Sequence, residues 1–205
     1  MKHLFRFLLA LTICTFIFGC GSNDIPNDRE ATVLNTDYVL GSSQAPVKLI
    51  EYGDLECELC ATFHQQVFQD LKQKYVDTGK LSYEFRNFPI VTVNANAFDA
   101  AQALYCAGDQ GKYWEFLTRA FAFQDNLKFD DLADHAKSVG VDNEKLFTSC
   151  LNGKKYAEYL EKQILEAAKL ELRGVPTFYI NDQRIDGVES LNKFEDLIEQ
   201  NLNSR

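Results

Sequence analysis

The chain has 205 residues, 46% of them hydrophobic with 16 Phe, which excludes disorder and suits one core or one domain with an insertion. A formal charge of -9 argues against nucleic acid as partner, because a polyanion needs a basic face. With 6 Cys, thiol chemistry is the first class of function to weigh.

Residues 1–19 read as a processing segment. Lys2 and Arg6 flank the start of an apolar run at 7–18, short of the ~20 residues that cross a bilayer. The run ends in Ile17-Phe18-Gly19-Cys20, which resembles the bacterial lipobox. That resemblance implies cleavage before Cys20, loss of Cys14 with the signal, and a diacylglycerol on the Cys20 sulfur. The alternatives are an ordinary signal peptide and an uncleaved anchor. Acyl chains at ~0.8 kcal/mol per buried CH₂ hold a domain at a membrane face. Gly21 stands where Asp is the usual inner-membrane retention signal, so the outer membrane is favoured in a cell with two. Residues 20–35 are polar and read as a lipidated tether. Export makes disulfides permissible.

A short first strand is expected at 36–40, then a turn to Pro46 and a buried strand at 47–52. Cys57-Glu58-Leu59-Cys60 follows. Leu59, Phe63, Val67, Leu71 and Tyr75 then recur every four residues, the apolar stripe of one helix ended by Gly79. Leu81, Tyr83, Phe85 and Phe88 mark the next strand, closed by Pro89. Strand–helix–strand of this length implies a right-handed parallel crossover. Residues 93–172 are helical throughout. Ala97, Ala101, Leu104 and Tyr105 share one face, and Trp114, Leu117 and Phe121 another. Asp130 reads as the N-cap of a helix stopped by Gly140, and Asp142 as the N-cap of one carrying Leu146, Phe147 and Cys150. Tyr156, Leu160, Ile164 and Ala167 mark a longer helix. Gly174-Val175-Pro176 breaks it. A hairpin at 177–186 turns on Asn181-Asp182, and Ser190 caps a last amphipathic helix with Phe194, Leu197, Ile198 and Leu202. The order is βαβ, helical block, ββα.

The Cys57–Cys60 pair therefore sits where a strand becomes a helix. Helix-start N–H groups and the positive end of the dipole favour a thiolate at Cys57. The thiolate is the nucleophile of disulfide exchange, and Cys60, one turn deeper, is placed to resolve a mixed disulfide. A C-x-x-C is also half a zinc site, but a Cys₄ set would have to borrow Cys106 and Cys150, which are isolated and far apart; no metal is expected. Those two, on separate helices, are expected to form a structural bridge; the alternative is a second redox relay.

Several stretches together resemble the DsbA-like branch of the thioredoxin superfamily, from about Thr36 to the end. They are Leu49-Ile50-Glu51-Tyr52-Gly53-Asp54 before the cysteines, Phe85-Arg86-Asn87-Phe88-Pro89, the run from Tyr105-Cys106 to Tyr113-Trp114, and Gly174-Val175-Pro176-Thr177-Phe178. The resemblance implies an α/β thioredoxin fold, βαβ…ββα on a central mixed sheet, with an inserted helical domain of four to five helices. Residues 36–92 and 173–205 would form the thioredoxin part and 93–172 the insertion. Cys57 matches the nucleophile and Cys60 the resolving thiol. Pro176 matches the cis-proline facing the sulfurs, with Val175 offering backbone to a substrate strand. Glu51 matches the buried acid that exchanges the Cys60 proton; the alternative is a strand Glu in a structural pair.

Two positions depart from the family: Glu58 where Pro is usual, and Leu59 where His or Tyr is frequent. Glu56 and Glu58 put negative charge beside the thiolate, at about 0.5–1 kcal/mol each in a wet site, against 0.3–1 kcal/mol from a helix dipole. A higher Cys57 pKa and a less oxidising couple than the strong oxidases are expected. His64 would offset this acidity, or be only a surface or packed helix residue.

The function expected is a membrane-tethered extracytoplasmic thiol–disulfide oxidoreductase without cofactor, more oxidase than reductase. It would act on cysteine-containing exported proteins with a membrane redox partner, quinone-linked or electron-donating, and as a monomer. The alternatives are a disulfide reductase or isomerase, and a non-catalytic binding lipoprotein of the same fold.

Overall fold

Five strands form one sheet in the order β1 (Val39–Leu40), β3 (Leu81–Asn87), β2 (Val47–Gly53), β4 (Thr177–Ile180), β5 (Gln183–Asp186). The structure is a computed structural model and describes residues 38–204. The expected signal, the tether, Cys20 and the start of the first strand lie outside the described residues. β2 and β3 run parallel, and every other neighbouring pair runs antiparallel. The sheet is mixed, as the α/β reading requires.

β2 is central because both its faces are apolar or paired. Val47, Leu49 and Glu51 alternate toward one face, and all three are fully buried. In register with Glu51 stand Phe85 on β3 and Phe178 on β4. That face is covered by α1 (Glu58–Gln66), α2 (Phe68–Leu71) and α8 (Leu191–Asn203). Phe63 of α1 joins them, with ring centroids 4.4 Å from Phe178 and 5.2 Å from Phe194. Burial of each such ring contributes about 1.5–3 kcal/mol. The opposite face carries Tyr52, whose hydroxyl donates to Glu166 at 2.9 Å and accepts from Arg86 at 2.9 Å.

The single helix expected after the cysteines is broken. α1 ends at Gln66, α2 lasts four residues, and Lys72–Val76 forms a π turn. The cause is the stripe itself. A period of four overshoots the 3.6-residue turn by about 40° per repeat. Breaking at Val67 and widening to i→i+5 bonds keeps Phe63, Val67, Leu71 and Tyr75 buried together. Leu59 does not belong to that stripe. It lies in the first turn of α1 and is 54% exposed.

Between β3 and β4 stand α3 (Ala97–Gly108), α4 (Tyr113–Ala122), α5 (Leu132–Ser138), α6 (Glu144–Asn152) and α7 (Ala157–Lys169). α3 is buried on almost every side. Tyr38 lies along it, stacked 4.0 Å from Tyr113, where any side chain at Gly108 would collide with it. Both expected caps in this block shift by one residue. Asp131, not Asp130, precedes α5, without a side-chain cap, because a short 3₁₀ turn (Phe129–Asp131) takes up the entry. Asn143, not Asp142, caps α6, accepting from the Leu146 N–H at 3.0 Å. Leu146 is 51% exposed, since the buried stripe runs through Phe147 and Cys150 instead. Ser190 caps α8 as expected.

Candidate active site

Cys57 is the N-cap of α1, in extended conformation. Its sulfur accepts from the Cys60 N–H at 3.3 Å and lies 3.6 Å from the Val175 carbonyl oxygen. The Val175–Pro176 bond is cis. Thr177 holds this turn by donating to the Gly174 carbonyl at 2.9 Å. The sequence thus places 57, 60, 175 and 176 together, across more than a hundred residues of chain.

The two thiols differ in exposure and ionisation. Cys57 is partly exposed, whereas Cys60 is fully buried. The Cys60 thiol donates to Cys57 and holds it below the ordinary thiol range. The N–H groups of Cys60 and Leu59 add to this, while burial and the Asp54 charge oppose it. Cys60 goes the other way, pushed well up by burial, then by its bond to Cys57 and the charges of Glu51 and Cys57. One sulfur is poised as thiolate and the other kept as thiol, which suits attack by the first and resolution by the second.

Three side chains that carried no role in the sequence bolt this loop to the helical block. Asp54 is buried and accepts from the N–H groups of Glu56 (2.9 Å) and Ile90 (2.8 Å) and from the Asn94 amide (2.8 Å). Burial pushes its carboxyl up, against these bonds. Gln124, just after α4, donates to the carbonyls of Leu55 at 2.7 Å and Cys57 at 2.9 Å. Asn96 gives its N–H and side-chain amide to Glu56, both at 2.7 Å. Glu56 is therefore occupied with the start of α3. Glu58 is exposed in the first turn of α1. The carboxylate whose charge opposes the Cys57 thiolate is Asp54.

Beneath the cysteines lies a second cluster. Glu51 is fully buried, and its Oε2 accepts from Tyr83 at 2.6 Å and meets His64 Nε2 at 3.0 Å. The Tyr83 oxygen is 3.1 Å from the same nitrogen. Burial and the Glu51 charge keep Tyr83 a phenol, its pKa well above the ordinary value. Of the readings open for His64, the structure shows the packed one: it is buried and its partner is Glu51, because α1 turns this position toward β2.

Cys106 on α3 and Cys150 on α6 are bonded, with Cα atoms 5.8 Å apart. They are thereby withdrawn from any metal set. Among the described residues no group of three or more His, Cys, Asp or Glu is placed to hold a metal ion.

A family model described as thioredoxin matches residues 33–200. The chain belongs to the thioredoxin family. Within that family it is similar to BdbD from Bacillus subtilis in its oxidised crystal structure. The two share 26% identity at a TM-score of 0.73, over 80% of this chain and 92% of that one. Wolbachia pipientis alpha-DsbA1 gives 28% identity and a TM-score of 0.72, over 83% and 93%. These neighbours make it a DsbA-like member. Among curated proteins it is 31% identical over 152 residues to Na(+)/H(+) antiporter NhaA 1 of Mycobacterium sp. (strain KMS). That match spans 74% of this chain and only 24% of that protein. It is 27% identical over 185 residues to the probable disulfide bond formation protein D of Bacillus anthracis, across 87% of this chain and 85% of that one.

Proposed function

We propose that this thioredoxin-family chain is an extracytoplasmic protein thiol–disulfide oxidoreductase, working as an oxidase of moderate potential. The observation that carries the reading is the Cys57 sulfur, accessible at the N-terminus of α1, 3.3 Å from the Cys60 N–H and 3.6 Å from the Val175 carbonyl. A stabilised thiolate favours the reduced protein, and so makes its disulfide form an oxidant. The buried charge of Asp54 opposes that stabilisation, which supports a moderate potential.

The exchange runs in two displacements. In the oxidised protein a substrate thiolate attacks Cys57. The Cys57–Cys60 bond breaks, and its electron pair stays on Cys60, which takes a proton. A second substrate thiolate then attacks the substrate sulfur of the mixed disulfide. Cys57 leaves as thiolate, and the substrate departs with its own disulfide, two electrons poorer. An extended substrate beside Val175 would pair with its backbone. A membrane redox partner would return the protein to the disulfide form. Cys106–Cys150 would only brace the helices.

We also assign residues 1–19 to a lipoprotein signal, Cys20 to lipidation and 20–35 to a tether. The thioredoxin part would comprise 36–92 and 173–205, and the helical insertion 93–172. The ground is the lipobox-like Ile17-Phe18-Gly19-Cys20. The purified protein should oxidise a dithiol peptide, and Cys57→Ser should not; equal rates would leave only a binding role. Equilibration with glutathione fixes the direction of electron flow. Mass spectrometry of the exported chain should find acyl groups on Cys20 and none in Cys20→Ala.

A further inference from the structure

Glu51, His64 and Tyr83 form a triangle of contacts that leaves one Glu51 oxygen unpaired. Tyr83 and His64 both address Glu51 Oε2. Oε1 is buried and has no hydrogen-bond partner among the described residues. A carboxylate oxygen left bare at full burial is costly unless it serves an exchange. Cys60 and His64 stand one turn apart on α1 and are both buried; His64 meets Glu51 at 3.0 Å, and the Glu51 charge acts on Cys60.

His64 also touches the outside. A small cleft of about 180 Å³ opens between α1 and α4, lined by His64, Gln65, Gln69, Thr118, Phe121 and Ala122. That is room for several waters. The remaining neighbours of His64 do not ionise. Phe121 of α4 stacks on it at 4.2 Å, Phe68 of α2 lies at 5.0 Å and Phe85 of β3 at 6.2 Å. The titratable groups facing it are Glu51 on β2, Tyr83 on β3 and, a turn away, Cys60.

We propose that His64 is the positioning residue of the exchange reaction, carrying protons between the cleft and Glu51, which passes them to and from Cys60. The proposal rests on the oxidoreductase reading above. When a substrate thiolate breaks the Cys57–Cys60 bond, the electron pair on Cys60 takes the proton held between Glu51 and His64. Water in the cleft then returns a proton to His64. In the reverse direction the Cys60 thiol loses its proton along the same line before its sulfur attacks Cys57. No electrons pass through the triangle. Tyr83 stays a phenol and fixes the carboxylate in place.

The test is the rate at which the oxidised full chain reacts with a reduced dithiol peptide, from acid to neutral pH, with acid quench and mass analysis. His64→Gln should slow it about tenfold, less than the ~10²-fold typical of losing the acid itself. It should also flatten a limb of the pH profile that Glu51→Gln removes too, and the double variant should be no slower than Glu51→Gln alone. Alkylation of Cys57 in the reduced His64→Gln protein should keep its wild-type rate. Thr118→Trp, at the exposed wall of the cleft, leaves the buried triangle alone and should flatten the same limb, which decides the matter should His64→Gln not fold. A wild-type profile in His64→Gln or Thr118→Trp, or multiplicative losses in the double variant, overturns the relay. A wild-type protein that oxidises no dithiol at all refutes the function reading instead.

Discussion

The two cysteine pairs of this chain make opposite use of helices. Cys57 and Cys60 are three positions apart, one at the free start of α1 and the other one turn in, and both are free thiols. Cys106 and Cys150 are separated by 44 positions, lie within α3 and α6, and are bonded. At a helix start the N–H groups are unpaired and receive a thiolate. Inside a helix they are spent, so a thiol there has nothing to ionise against. Cys150 is 7% exposed and Cys106 fully buried, so neither meets a substrate. Place on the helix, more than spacing in sequence, separates a reactive pair from a brace.

The largest effect that would break this contrast is on turnover. Cys57→Ser should abolish dithiol oxidation, while Cys106→Ala with Cys150→Ala should keep it, assayed on the same peptide. Cys60→Ser, given the disulfide-bonded form of that peptide, should retain attack by the Cys57 thiolate and accumulate a mixed disulfide with it, visible by mass. Comparable losses from both pairs would mean that the bridge belongs to the redox machinery.

Next comes stability. A closed loop of this length is worth about 4 kcal/mol in the chain-entropy model. The double alanine variant should lose roughly that much in denaturant unfolding, measured with the Cys57–Cys60 pair reduced in both proteins. A loss under about 1 kcal/mol would mean that the packing of α3 against α6 suffices without the bond.

The third effect lies in pH. Cys57 is held below the ordinary thiol range and Cys60 well above it. Alkylation of the reduced protein should therefore modify Cys57 alone, and continue at pH values where a free thiol has stopped reacting. A folded-state value that is lowered contributes stability above it, lost as pH falls through it. So the reduced protein should lose its Cys57 contribution on acidification, and the oxidised protein, with no thiol to titrate, should not. Parallel unfolding curves for the two forms across that range would contradict the assignment.

Much of this was legible before the fold. A strand, a C-x-x-C and a helix are neighbours in the chain, so their local signals suffice to place Cys57 at a helix start. Pro176 and the order of elements follow in the same way, with the family likeness. Register was not legible. Glu51, His64 and Tyr83 each point inward on their own element, but only the parallel pairing of β2 with β3 and the tilt of α1 bring them within 3.1 Å of one another. A usable signal was present: His64 is one turn past Cys60 on the buried face, and Glu51 and Tyr83 occupy inward positions of adjacent strands. The clamps made by Asp54 and Gln124 depend on loops of the helical block, whose path no periodicity encodes. The break at Val67 was implicit in the period of four, whose drift of about 40° per repeat one regular helix does not absorb.

The smallest effect tests Asp54, the charge that separates this thiolate from a freer one. Its carboxylate opposes ionisation of Cys57. Asp54→Asn removes the charge and should lower the Cys57 pKa further. The alkylation rate at a fixed acidic pH rises by less than the thiolate population does, because nucleophilicity falls as the pKa falls, with a Brønsted slope of about 0.4–0.5. About a twofold gain is the size to look for with one charge acting through a half-wet site. The glutathione equilibrium should move toward the reduced protein by the full change in thiolate stabilisation. The substitution also replaces an acceptor facing the N–H of Glu56 or Ile90, so about 1–3 kcal/mol of stability goes with it. Faster alkylation together with a lower melting point is the signature expected. Slower alkylation at wild-type stability would mean that Asp54 supports the thiolate, and the moderate potential we propose would then need another source.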